Sequence, residues 1–202
     1  MGLISNGTTL LDSGALDSGV ASGAMTLIST QTASSSATVS FTSGIDSTYK
    51  EYIFKFINVL PASDGVKLKF NLSIDGGSNY NVTKTTTNFE ANHNEGDSAT
   101  ALTYKSARDL AQSTSDQIIS NEPGNDNDQG MSGYMHLFNP SSTTFVKHFI
   151  SRTQYADSSG TTTSVNAFVA GYCNVTAAID AVQFKMSSGN IDAGDICLYG
   201  IN

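Results

Sequence analysis

The sequence predicts an all-β fold, an antiparallel β-sandwich of jelly-roll type with roughly ten strands. Three observations carry this. Between Lys50 and Tyr80, Tyr52, Ile53, Phe54, Phe56, Ile57 and Val59 form one run rich in aromatic and β-branched residues. Leu68, Phe70, Leu72 and Ile74 then alternate with Lys67, Lys69, Asn71 and Ser73, the period of a half-buried strand. Second, turn chemistry brackets these runs. Pro61-Ala62-Ser63-Asp64-Gly65 combines a fixed φ with a residue free to take positive φ, and Asp75-Gly76-Gly77 reads as a hairpin signal. Third, only 14% of residues are charged, against a usual ~25%, while Ser and Thr supply about a quarter of the chain.

Taken in order, residues 1 to about 23 scatter Leu3, Ile4, Leu10, Leu11, Leu16 and Val20 among five glycines with no sustained period. Such a segment buries little of itself, so residues 1–23 are expected to form an extended arm and 24–202 a single sandwich domain. Strands are expected over Met25–Thr30 and Ala37–Thr42, then Lys50–Val59, Val66–Ile74 and Tyr80–Phe89 as a meander. From Ala91 to Gly130 the pattern is weakest. Ala99–Leu110 suits a strand through Leu102 and Tyr104 or a short helix, Gln117–Ser120 a short strand, and Asn121–Gly130 a loop. Regular strands resume at Ser132–Phe138, Phe145–Tyr155, Val165–Asn174, Ile179–Met186 and Asp195–Ile201. Asp157–Gly160 and Ser187–Gly189 read as hairpin turns. The expected core includes Phe54, Phe56, Leu68, Phe70, Leu72, Phe149, Phe168, Phe184 and Leu198.

Charge narrows the partners. The net charge of −8 gives no basic footprint for nucleic acid. Between Glu90 and Asp128 eight carboxylates face only Lys105 and Arg108, so this one region concentrates the acidity. No apolar run reaches the ~18–20 residues of a membrane helix, so no membrane insertion is expected. The start of the chain has neither the basic region nor the apolar core of a signal peptide, so the usual secretory route is not expected. Cys173 and Cys197 both fall in expected strands and read as buried thiols rather than a disulfide framework, although an inter-strand bridge is open.

Candidate chemistry is sparse. His93, His136 and His148 lie on different elements, with no zinc motif. Asn125-Asp126-Asn127-Asp128-Gln129-Gly130 has the alternating oxygen side chains of a calcium loop, but an EF-hand requires a bidentate Glu where His136 stands. No cofactor is therefore expected; structural Ca2+ is the one ion this loop would suit. No GxSxG elbow and no evident carboxylate pair point to hydrolysis, so no enzymatic activity is expected. Four Asn-x-Ser/Thr matches, at Asn6, Asn71, Asn81 and Asn174, are what so Asn-, Ser- and Thr-rich a chain produces by composition. The surface residues best placed for contacts are Asn88, His93, Glu95 and Asp97 in one loop region, and Asn125, Asp126, Asn127 and Asp128 in another.

Met25-Thr-Leu-Ile-Ser-Thr-Gln-Thr-Ala, Gly44-Ile-Asp-Ser-Thr-Tyr-Lys-Glu-Tyr, Asp64-Gly, Asp75-Gly-Gly-Ser-Asn-Tyr and the closing Gly194-Asp-Ile-Cys-Leu-Tyr-Gly-Ile resemble, in their order, structural proteins of tailed bacteriophages and cyanophages. The resemblance spans Met25–Val82 and the last ten residues, about a third of the chain, and consists of turns and strand starts. It implies a tail-fibre-like or virion-surface protein, assembled in the bacterial host cytoplasm. A glycine-rich arm that orders on assembly fits that setting, with itself (a homotrimer) and other virion proteins as partners. Two roles compete: capsid decoration or tail-associated structure, and a receptor-binding module whose loops contact host surface glycan. The absence of Trp, the usual sugar-stacking platform, favours the first.

Overall fold

The computed structural model describes residues 3–5, 8–12, 15–16, 24–158 and 162–202. Every element among them is a strand, and every pairing is antiparallel. The strands are β1 (Leu3–Ser5), β2 (Thr8–Asp12), β3 (Ala15–Leu16), β4 (Met25–Thr32), β5 (Val39–Phe41), β6 (Glu51–Pro61), β7 (Leu68–Ser73), β8 (Lys84–Asn94), β9 (Thr100–Tyr104), β10 (Gln117–Ile118), β11 (Met131–Phe138), β12 (Lys147–Ala156), β13 (Thr163–Cys173), β14 (Ala181–Met186) and β15 (Ile191–Ile201).

Twelve strands form the sandwich. A large sheet runs β4-β15-β6-β11-β12-β13-β8-β9 and a small one β10-β7-β14-β5. This order establishes the expected antiparallel β-sandwich. The small β1-β2-β3 meander pairs within itself, where an extended arm was expected; the rest of residues 1–23 lies outside the described residues.

Most expected strands are present within a few residues of their expected ends, but three turns do different work. The loops after β6, β7 and β14 were expected as hairpins, and each instead carries the chain from one sheet to the other. A hairpin and a crossover use the same residues, because positive φ at Gly65, Gly76, Gly77 and Gly189 reverses the chain either way. What decides between them is which apolar face the next strand must bury. The ambiguous Ala99–Leu110 segment resolves as β9 followed by turns.

The core is aromatic. Phe184 of the small sheet lies 5.2 Å from Phe56 and 5.4 Å from Phe54 of the large sheet, both edge-on. Phe70 meets Phe149 at 5.0 Å in the same manner. Edge-to-face geometry sets positive ring edges against negative faces and adds to the area buried. Phe54, Phe56, Leu68, Phe70, Leu72, Phe149, Phe184 and Leu198 are all buried as expected. Phe168 is not. In β13, Val165, Ala167 and Val169 point inward, so the strand's period of two sends Phe168 to the outer face. Cys173 and Cys197 are buried free thiols.

Candidate functional site

The expected contact residues separate into those the fold gathers and those it does not. Asn88 is a correction: it points inward from β8 and is buried, so it cannot be a surface contact. His93 and Asp97 pair across the β8–β9 turn, with His93 Nε2 3.0 Å from Asp97 Oδ1. Asp97 takes φ of +50°, and Asn94 Oδ1 accepts from the Ser98 and Ala99 amides, which fixes this turn.

In the second loop, the Asn125 amide donates to Asp64 Oδ1 at 2.9 Å, and the Gln129 amide donates to Asp126 O at 2.9 Å. The two loops meet at one end of the sandwich. Glu95 and Asp128 line a shared groove of 370 Å3 with Ser132, Gln154, Thr162 and Ser164. Asp128 and Gly130 also border a second groove of 530 Å3, which adds Asn127, Asn58, Thr32 and Asp195. Hydroxyls, amides and carboxylates dominate both linings and can hydrogen-bond a polar ligand. Tyr155 also borders the smaller groove, but its side chain is buried, so little of its ring is open for stacking. Among the described residues no group of three or more His, Cys, Asp or Glu side chains is placed to hold a metal ion.

A second surface had no place in the sequence reading. Across the outer face of the large sheet, Tyr104, Phe89, Phe168, Arg152, Tyr134 and Lys55 stand directly opposite one another on successive strands. Phe89 stacks on Phe168 at 4.8 Å with the rings nearly parallel, and the Arg152 guanidinium lies 4.9 Å above Phe168. The parallel row holds Ile150, His136, Ile53, Tyr199 and Leu27. Leu102 is 73% exposed and Ile150 51%. The signal was available in β13. Val165-Asn-Ala-Phe-Val-Ala is apolar on both faces, a pattern that belongs to a strand covered on both sides.

The inner face of β8 is the third unusual region. Lys84, Thr86, Asn88 and Glu90 all point inward and are buried. The chain after β9 runs along this strand: the Lys105 amide bonds Asn88 O, the Thr86 amide bonds Leu110 O, and Lys84 and Ser113 exchange backbone bonds. Glu90 receives Arg108 in a short ion pair, Lys105 Nζ at 3.4 Å and the Tyr155 hydroxyl at 3.2 Å. Burial, reinforced by the Glu90 charge, pushes the Tyr155 phenol far above its ordinary range, so it remains a donor.

Farther along, Cys173 stands directly between Lys147 and Lys84 on neighbouring strands. Burial pushes the Cys173 thiol up to about 12 despite the two lysines, so it stays protonated and a poor nucleophile. Lys147 Nζ donates to the carbonyls of Thr176 at 2.8 Å and Ala177 at 2.5 Å. Burial lowers both lysines below their ordinary value, Lys84 to about 8. No protein-family model matches this chain and no curated protein matches it, so these three regions are interpreted from their own residues alone.

Proposed function

We propose that this is a non-enzymatic structural protein that works by contact, burying the outer face of its large sheet against other copies and other proteins of an assembly. The observation that supports it is the row Tyr104–Phe89–Phe168–Arg152–Tyr134, an aromatic band on a face that an isolated sandwich would keep polar. The setting, the surface of a bacteriophage virion on capsid or tail, rests on the resemblance of the turn and strand-start motifs. In this reading residues 1–23 attach the sandwich to the particle and the free protein is a homotrimer.

A specific observation favours a second reading. The convergence of Glu95 and Asp128 on one groove suits a tail-fibre module that holds a host surface glycan by hydrogen bonds. One set of measurements separates the two. Light scattering on the purified protein should give three times the 21.2 kDa chain mass. Ile150→Glu with Leu102→Glu should reduce it to one chain with unchanged circular dichroism. A wild-type monomer at high concentration, with this face accessible in imaged particles, would overturn the contact reading. Adsorption of the purified protein to host cells, competing with infection and lost in Glu95→Ala with Asp128→Ala, would establish the glycan reading in its place.

A further inference from the structure

Lys84 is fully buried and has no carboxylate within ion-pair distance among the described residues. Its Nζ donates instead to Asn71 Oδ1 at 2.7 Å and to Val82 O at 2.6 Å. Asn71 belongs to the small sheet and Lys84 to the large one, and both are buried where residues 113–116 close the side of the sandwich. The Asn71 side-chain amide is held at both ends. Its oxygen also accepts from the Leu72 backbone N–H at 2.9 Å. Its nitrogen donates to Thr114 O at 3.0 Å and to Asp116 Oδ1 at 3.1 Å.

We propose that Lys84 and Asn71 join spontaneously as an intramolecular isopeptide bond that staples β8 to β7. A primary amine lies beside an amide carbonyl, out of water, with a hydrogen-bond donor on the oxygen and a carboxylate on the leaving nitrogen. Those are the parts amide exchange requires: an activated nucleophile, a stabilised oxyanion and a proton carrier.

The step balances without any added reagent. The neutral Nζ attacks Cγ of Asn71, a C–N bond forms, and the carbonyl electron pair moves onto Oδ1, where the Leu72 N–H holds it. The intermediate collapses as the Cγ–Nδ2 bond breaks. In that intermediate Nζ and Nδ2 share one carbon, so the Asp116 oxygen that already holds Nδ2 can carry the proton shed by Nζ across to Nδ2, and ammonia leaves. Burial supplies the neutral amine, since it lowers Lys84 to about 8 despite the opposing pull of the Asp116 carboxylate.

For Asp116 burial would raise the carboxyl, but hydrogen bonds from Lys185, Lys69 and Asn71 outweigh it and hold it below its ordinary value. The group is therefore ionised. Lys69 and Lys185 each lie 3.0 Å from its other oxygen, leaving Oδ1 turned to the amide. Lys147 is the internal contrast: it is also buried, but among the described residues its Nζ donates to backbone carbonyls and to no side-chain amide.

The test is mass spectrometry on the denatured full-length protein after incubation at pH 9. The bond releases one ammonia, so the peptide carrying both residues should weigh ~17 Da less than its sequence. Trypsin should fail to cut after Lys84, leaving Phe70–Lys105 as one fragment. Lys84→Arg, which keeps the charge, and Asp116→Ala should both restore the full mass, and Lys84→Arg should restore cleavage at residue 84. A wild-type mass equal to the sequence, with Lys84 cleaved, overturns the proposal. So does a ~17 Da deficit with Lys84 still cleaved or surviving in Lys84→Arg, because that is succinimide formation at Asn71.

Discussion

The two halves of the sandwich interior are built from different chemistry. Along β6, β11 and β15 the large sheet's inner face is carbon: Tyr52, Phe54, Phe56, Met135, Leu137, Ile196 and Leu198. Along β8 it is nitrogen and oxygen: Lys84, Thr86, Asn88 and Glu90. The difference follows from what covers each half. The small sheet covers the first, and its strands satisfy their own backbone groups. The irregular chain from Lys105 to Asp116 covers the second, and its amides and carbonyls need partners from outside it. Thr86 Oγ1 accepts from the Leu110 amide at 2.8 Å, and Gln117 Nε2 donates to Arg108 O at 2.9 Å. Polar side chains are buried here because the covering chain is not a strand.

This contrast can be broken at the apolar half first. Phe184→Ala removes the ring on which four other phenylalanines converge and should cost about 3–5 kcal/mol, measured by urea denaturation. A cost near 1 kcal/mol would mean the two sheets are not joined through this cluster.

The polar half should respond in a different way. Arg108→Ala leaves Glu90 buried with only Lys105 and the Tyr155 hydroxyl, and should cost about 2–3 kcal/mol. Adding Glu90→Leu to an Arg108→Met background should recover most of that, since removing both charges removes the uncompensated one. Costs that simply add would show that Glu90 and Arg108 do not act as a pair.

The smallest effect belongs to the outer face. Phe168→Ala loses its stack on Phe89 and the Arg152 contact, worth about 1 kcal/mol in the isolated chain. The same substitution should lower the assembled mass measured by light scattering far more than this suggests. A large loss of chain stability instead would make Phe168 a core residue after all.

The apolar half was legible in the sequence because its strands alternate, or run continuously, with the residues that go inside. Leu68, Phe70 and Leu72 declare their face by alternation. β8 was not legible for the opposite reason. In Lys-Thr-Thr-Thr-Asn-Phe-Glu-Ala its one aromatic residue faces outward and its charged residues face inward, so hydropathy assigns the wrong side. Asn88 was assigned to a loop because the strand was expected to end at Phe89, whereas β8 runs on to Asn94. Phe168 was expected inside as an aromatic residue, whereas Val165, Ala167 and Val169 fill the inner face of β13. Glu95 and Asp128 were named from composition. Their meeting in one groove depends on β8 and β12–β13 lying side by side, a long-range pairing that no local pattern contains.

The strand order also governs how the chain can be made. β15 lies between β4 and β6, and β14 lies between β7 and β5, so the two latest strands each enter the middle of a different sheet. Until residues 181–201 have left the ribosome, β6 has no partner along one edge and Phe54 and Phe56 have no Phe184 to pack on. At roughly 5–20 residues added per second, the earlier strands wait several seconds in that open state. Folding is then a late, concerted event, with the slow kinetics of long-range strand pairing. During synthesis the half-made sandwich presents aromatic edges to every other nascent chain nearby. Residues Ile191–Ile201 thus act as a closing key, and a ribosome that stops short of them releases an aggregation-prone sheet instead of a slightly smaller protein.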